Sequence, residues 1–309
     1  MQVNGHDIDV SKRDKLFFPE AEISKGDMID YYAKIADTMI PHMQHYGVNM
    51  ERFPDGIAGD SFFNKDTPDY FPDWIKTVKM EKREGGHFYA PVVDSKAALI
   101  YLADQAVITP HIYLSRRDKL EYPDKMVFDL DPPETGDSAN ALRQAALDIR
   151  DLMAELDLSV WIQTSGANGF HLIIPLDQSS SFDDTREFAK NCALTLVRRK
   201  PENYTLEQRK NKRGDRIFLD ILRNAYGATS VAPYAVRAQT TASVATPIEW
   251  NELEQGAEPQ SWTVKSIPRR LAQKQDPWQG IMRHAFSLTS RQSKLQQLLD
   301  TETPADEES

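Results

Sequence analysis

One cysteine, Cys192, occurs in 309 residues, so an internal disulfide and any multi-cysteine zinc site are excluded. No apolar run approaches the roughly 18–20 residues that span a bilayer. The first residues have neither the basic start nor the apolar core of a secretory signal, and the chain reads as cytoplasmic with no membrane partner. Basic residues are also short: 37 Lys and Arg face 47 Asp and Glu, a formal charge of −10 that argues against a protein coating nucleic acid. Repeats are absent. What is present is an ordinary globular composition, 40% hydrophobic and 27% charged, long enough for a substantial core or two domains.

The charge is unevenly spread. The last nine residues, TETPADEES, hold four acids and no base and read as part of a disordered acidic tail over 296–309. Residues 198–216 hold eight bases against three acids. Lys12, Arg13, Lys15 and Lys25 flank the step Phe17-Phe18. A charge run is usually a solvated face, yet focused basic patches on an acidic protein also suit a reader of phosphates.

Along the chain, Ser24 with Asp27 predicts a capping box, followed by an apolar face of Met28, Tyr31, Tyr32, Ile35 and Met39. Asp94 or Ser95 opens a second helix. From 125 the pattern is clearer: a strand over 125–131 stopped by Pro132-Pro133, a helix from Ser138, a strand over 159–163, a Gly-rich turn over 164–169, a strand over 170–176, a helix over 185–199 and a strand over 216–222. This β-α-β-β-α-β order predicts a ferredoxin-like (RRM-like) α+β unit in which the third and fourth strands both flank the first. A closing helix is expected near 290–299.

Asp129 and Asp131 stand two apart on a strand and therefore project from one face, opposite Phe128 and Leu130. The topology sets Asp220, alone among apolar residues in its strand, beside them. Three carboxylates on an uncovered sheet face repel unless a divalent cation lies among them, and the oxygen donors suit magnesium or manganese in a two-metal phosphoryl-transfer site. The blander alternative is a strand end and one satisfied edge residue. In the turn Ser165-Gly166-Ala-Asn168-Gly-Phe-His171, glycines let backbone N–H groups approach phosphate oxygens, and Ser165 and His171 add side-chain donors. Arg223 and Arg237 offer guanidinium forks for phosphate, or for surface ion pairs. By itself His111 reads as a hydrogen-bonded structural histidine.

These residues carry a resemblance. FDLDP at 128–132, SG-x-x-G-x-H at 165–171, FLDILRN at 218–224 and VAPYAVRA at 231–238 resemble the motifs of the polymerase domain of bacterial ligase D, in the archaeo-eukaryotic primase superfamily. The likeness extends to DKLFFP at 14–19, ISKGD at 23–27, RFPDG at 52–56, FFNK at 62–65 and VATPIEW at 244–250, nearly the whole chain. It implies a primase-polymerase architecture over 1–295: an N-terminal α/β subdomain (1–120), the RRM-like catalytic subdomain (121–250) and a segment packing back (251–295). It further implies a template-directed nucleotidyltransferase of non-homologous end joining, with two Mn²⁺ or Mg²⁺ ions, acting with ribo- or deoxyribonucleoside triphosphates. Its partners would be DNA ends bearing a 5′-phosphate, a Ku-like end binder and a DNA ligase, and its location the nucleoid.

Carried over by position, Asp129, Asp131 and Asp220 are metal ligands. Ser165, Gly166, His171, His111, Arg223, Arg237, Arg52 and Phe63 surround the nucleotide. Lys15, Lys25 and Phe62 meet DNA, the lysines at the 5′-phosphate and the aromatics by stacking. Two positions depart from the family pattern: Asn168 where its glycine loop usually carries lysine, and Glu51 where some members carry a base. No ligase or nuclease motif accompanies the domain, which suits a stand-alone member or an excised piece. Two rival readings are a DNA-end-binding module with decayed chemistry, resting on Asn168 and Glu51, and a haloacid-dehalogenase-type phosphatase using Asp129 and Asp131 as nucleophile and acid.

Overall fold

The computed structural model describes residues 1–132 and 138–301. Pro133, the second half of the expected strand stop, and residues 302–309 of the expected tail lie outside them. Helix α1 (Lys25–Met39) starts where its cap dictates: the Asp27 amide donates to Ser24 Oγ at 3.1 Å, and the Ser24 amide donates to Asp27 Oδ2 at 2.8 Å. Its apolar face and that of α2 (Lys96–Asp104) cover a small antiparallel sheet. In that sheet β1 (Val48–Arg52) lies between the edge strand β2 (Phe62–Asn64) and β3 (Val107–Tyr113).

The second unit has the expected order: β4 (Lys125–Asp131), α3 (Ser138–Glu155), β5 (Trp161–Thr164), β6 (Phe170–Pro175), α4 (Phe182–Arg199) and, after the short β7 (Tyr204–Thr205), β8 (Ile217–Asp220). Spatially the four main strands run β8-β4-β6-β5, all antiparallel, with β6 and β8 flanking β4 as the topology requires. Met126, Phe128 and Leu130 point to the helix side, where Leu142, Ile149 and Met153 of α3 and Phe188 and Cys192 of α4 bury them. Each such side chain contributes about 1.5–3 kcal/mol. On the other face of β4, Val127 is packed with Ile173 and Trp278, Lys125 and Asp129 are buried beside it, and only Asp131 at the strand end is part-exposed.

Two expectations on boundaries need correction. The catalytic subdomain does not keep all of 121–250. After β8 the chain crosses over: β9 (Thr229–Val231) pairs with β3, and Tyr234, Val236 and Val244 enter the first unit's core. The reason is a shared core with α1 together with two hydrogen bonds: the Tyr31 hydroxyl donates to the Tyr234 carbonyl (2.8 Å) and the Tyr32 hydroxyl accepts from the Val236 amide (3.0 Å). The chain then returns as β10 (Pro247–Ile248), an edge strand on β5. Further on, the tail does not begin at 296, because Gln292–Thr301 is a helix that buries Leu295 and Leu299 against the catalytic core. In the segment between, the Trp278 indole N–H donates to the Ile162 carbonyl at 3.1 Å.

Candidate active site

The register of β8, β4, β6 and β5 aligns Asp220, Asp129, His171 and Gln163 as successive cross-strand partners on one face. Asp131 stands one pleat further along β4. Asp129 is buried, with His171 Nε2 at 3.3 Å from Oδ1 and the Arg223 guanidinium at 3.1 Å from Oδ2. Burial opposes its ionisation, but the imidazole and the guanidinium outweigh that and hold the carboxyl well below the usual range. Arg223 is set by its neighbour: Asn224, fully buried, accepts from the Val127 amide (2.8 Å) and donates to the Val127 carbonyl (2.7 Å), continuing the ladder where β8 ends.

The three aspartates share the face as expected, yet among the described residues no three metal-ligating side chains are gathered into a ready ligand set. Each has found a local partner. Asp129 is held as described, Asp131 lies 3.8 Å from Arg213, and Asp220 Oδ1 accepts from the Leu222 amide at 2.7 Å. Burial raises the pKa of both Asp131 and Asp220; Asp129 and Asp220 add to it at Asp131, while at Asp220 the Leu222 amide opposes and Asp129 adds. Three hard oxygen donors fit a divalent cation in donor chemistry, although their side chains do not enclose one point.

The Gly-rich turn is built differently from a free cradle. Ser165 Oγ accepts from the Ala167 amide (3.1 Å) and the Gly169 amide (3.0 Å), so these N–H groups already have partners; only the hydroxyl proton remains to be donated. Gly166 has φ +65°, and a Cβ there would meet Arg237 Cγ at 2.7 Å. A Cβ on Gly169 would lie 1.9 Å from the Leu130 carbonyl oxygen. The glycines therefore serve the close approach of turn to β4 and to Arg237. Arg237 donates to the Ser165 carbonyl at 2.8 Å, and Asn168 is exposed at the tip.

From the first unit, β3 and β1 present His111 and Glu51, 3.2 Å apart, with the Phe63 ring edge-on to His111 at 5.5 Å. Burial pushes the His111 imidazole down; Glu51 opposes this, while Arg237 and Arg223 reinforce it. His111, Arg237, Arg223, Asp129 and His171 thus converge between the two sheets.

Other expected residues lie elsewhere. Phe62 and Phe63 are both exposed, but adjacent strand residues face opposite ways. Only Phe63 meets His111; Phe62 lies under the Arg52 guanidinium at 5.5 Å. Arg52 accordingly does not join the cleft, donating to the Gln105 carbonyl (2.9 Å) and the Tyr70 hydroxyl (2.8 Å). Lys15 bonds the Pro54 carbonyl at 2.8 Å and the Asp55 carboxylate and stays partly exposed. Lys25 overturns the expectation. Its ammonium is buried, 2.6 Å from buried Asp104 and 2.8 Å from the Ser11 carbonyl, because the capping box starts α1 over Asp104 rather than toward solvent.

Three participants went unread in the sequence. Gln163 donates to His171 Nδ1 at 3.2 Å, and only the strand pairing identifies it. Asn224 stands in FLDILRN, and only the fold reveals its bonds to Val127. Arg213, part of the basic run, stacks on the Phe218 ring at 4.0 Å beside Asp131.

The LigD primase-polymerase domain family model matches residues 24–278. The multifunctional non-homologous end joining protein LigD of Mycolicibacterium smegmatis is 32% identical over 248 residues, 80% of this chain and 32% of that protein. The bifunctional LigD of Bacillus subtilis is 29% identical over 266 residues, 86% of this chain and 42% of that protein. The chain thus spans well under half the length of these curated relatives. The polymerase domain of Mycobacterium tuberculosis ligase D, solved in complex with DNA, matches with a TM-score of 0.84 at 29% identity, over 91% of this chain and 99% of that one. Neither rival reading is favoured by these likenesses. Among the described residues no helix is long and apolar enough to cross a membrane.

Proposed function

The chain belongs to the LigD primase-polymerase domain family, and on that premise we propose that it is a template-directed nucleotidyltransferase filling gaps and extending DNA ends during end joining. Its substrates are nucleoside triphosphates and DNA ends bearing a 5′-phosphate. A Ku-like end binder and a DNA ligase are its partners at the nucleoid. The observation that carries this reading is the aligned row Asp220, Asp129 and His171, faced by Arg223, with Arg237 and His111 opposite.

Asp129, Asp131 and Asp220 would hold two divalent ions, Mn²⁺ or Mg²⁺. Such ions, when bound, lower the pKa of the attacking hydroxyl and neutralise the leaving pyrophosphate. The protein's own residues bind and orient. Arg223 and Arg237 supply guanidinium forks for the triphosphate, the Ser165 hydroxyl donates to its oxygens, His171 borders them while it holds Asp129, and Gly166 keeps the turn close enough for Arg237 to reach. Phe63 and His111 border the base, and exposed Phe62 with part-exposed Lys15 and Arg52 faces the DNA. A primer 3′-hydroxyl oxygen attacks the α-phosphorus in line, the bond to the bridging oxygen breaks, and pyrophosphate departs. Catalysis is then positioning and charge stabilisation, with no covalent protein intermediate.

The test is nucleotide incorporation on a gapped, 5′-phosphorylated duplex with Mn²⁺. Asp131→Ala should abolish incorporation while leaving DNA-end affinity nearly unchanged. Near-normal turnover in that variant would overturn the assignment, and a wild type that binds ends without incorporating would restore the end-binding module.

A further inference from the structure

Behind the catalytic row lies a cavity of about 860 Å³, within the range of small-molecule sites. It is enclosed by the far part of the same sheet face, by the turn after α1 and by the segment carrying Asp276 and Trp278. Of the catalytic cleft's residues only Gln163 also lines it.

Its two ends have opposite needs. At one end Gln163, 1% exposed, spends its amide N–H groups on His171 and the Val231 carbonyl, while Oε1 has no hydrogen-bond partner among the described residues. A buried acceptor in this state is served by a ligand donor. At the other end Lys125 is 9% exposed. Its Nζ lies 2.8 Å from Asp124 but outside hydrogen-bond geometry, and 3.5 Å over the Tyr46 ring. Burial pulls this ammonium's pKa down and Arg116 adds to that, with Asp124 opposing. Arg116 and His45 line the same end.

Of the other charges that line the cavity, Asp276 is bonded to His42 at 2.6 Å and to the Tyr234 hydroxyl at 2.7 Å, Lys274 is paired with Glu249 and Glu252, and Asp37 and Arg283 are exposed. Between the ends the wall is apolar, formed by Ile173, Val231 and Trp278. Lys125 and Gln163 stand four residues apart along the sheet and two strands apart across it, roughly 16 Å between backbones before either side chain reaches inward.

We propose that this cavity is a second ligand site, taking a nucleoside monophosphate with its phosphate at Lys125, Arg116 and His45 and a ring N–H donated to Gln163 Oε1. A phosphate there supplies acceptors to the Lys125 ammonium, which makes no hydrogen bond among the described residues, and a flat ring covers the apolar wall. The site stands independently of the polymerase reading, since none of Asp129, Asp131 and Asp220 lines it.

The full chain is titrated with 8-bromoadenosine 5′-monophosphate in metal-free, EDTA-containing buffer, following Trp278 fluorescence against a Trp278→Phe control. Crystals soaked in the same compound locate bromine by anomalous scattering. Expected are a bromine peak in the cavity, at least tenfold weaker binding by Lys125→Met and by Arg116→Ala, and at least tenfold weaker binding of adenosine. If Lys125→Met does not fold, Arg116→Ala decides alone. Bromine confined to the catalytic cleft, ordered water as the only occupant, or unchanged affinity in Arg116→Ala would overturn the proposal. Inorganic phosphate binding as tightly as the nucleotide would overturn the nucleoside assignment.

Discussion

Replacing Lys25 with methionine separates a DNA contact from a structural charge. In the fold its ammonium lies 2.6 Å from Asp104 Oδ1, each side chain 6% exposed, and it also donates to the Ser11 carbonyl. Methionine fills the aliphatic space but leaves Asp104 buried without its counter-charge. Breaking a buried pair from one side costs about 3–5 kcal/mol, because the remaining carboxylate keeps its desolvation penalty. The Asp104 carboxylate also accepts from the Ser11 amide (3.1 Å) and the Gln105 side chain (3.3 Å), which soften the loss and place the expectation near the lower bound. With a slope of about 2–3 kcal/mol per molar, urea midpoints should fall by roughly 1–1.5 M. Adding Asp104→Leu to Lys25→Met should recover part of the loss, since two apolar groups replace a matched pair. Discrimination between 5′-phosphorylated and 5′-hydroxyl ends, measured under conditions where the single variant is folded, should persist. A Lys25→Met protein that keeps its urea midpoint and loses that discrimination would refute the reasoning and return Lys25 to the DNA.

Gly169→Ala should cost about 3 kcal/mol or more in stability and remove incorporation, because its Cβ would sit 1.9 Å from the Leu130 carbonyl, beside Asp129 and His171; near-wild-type unfolding would contradict this. Asn168→Lys, at an exposed tip beside the Arg237-bonded turn, should lower the KM for nucleoside triphosphates about tenfold with metal dependence unchanged, and a steady-state KM that stays level or rises rejects it. Glu252 is half-buried, which raises its pKa, but Arg270, the Glu249 amide and Lys274 outweigh that and hold it at about 2 against 4.5. A depressed carboxyl stabilises the fold fully above the unfolded value and loses that contribution as pH falls toward 2, roughly 1–2 kcal/mol after solvent screening. Acid unfolding of Glu252→Gln should therefore show a shallower decline between pH 4.5 and 2 than the parent.

Much of the molecule is written locally. Caps at Ser24, alternation in 125–131 and the β-α-β-β-α-β order each depend on residues a few positions apart, so helix starts, the shared face of Asp129 and Asp131 and the central strand order follow from the chain alone. The antiparallel pairing of β8 with β4 that brings Asp220 opposite Asp129 was already implied by that order. The destination of a charge is a different matter. Lys15 and Lys25 have similar sequence surroundings, yet one reaches the surface and the other meets Asp104, 79 positions away. Arg52 and Phe62 come together, and Phe63 turns away from them, only because β2 pairs with β1 at a given register. The crossing of β9 back to β3, the choice of Gln163 as partner for His171, and Arg213 beside Asp131 likewise depend on contacts between distant segments. Short-range steric and hydrogen-bond rules act wherever the residues stand, whereas an ion pair or a shared wall exists only once packing has brought its two halves within a few ångströms.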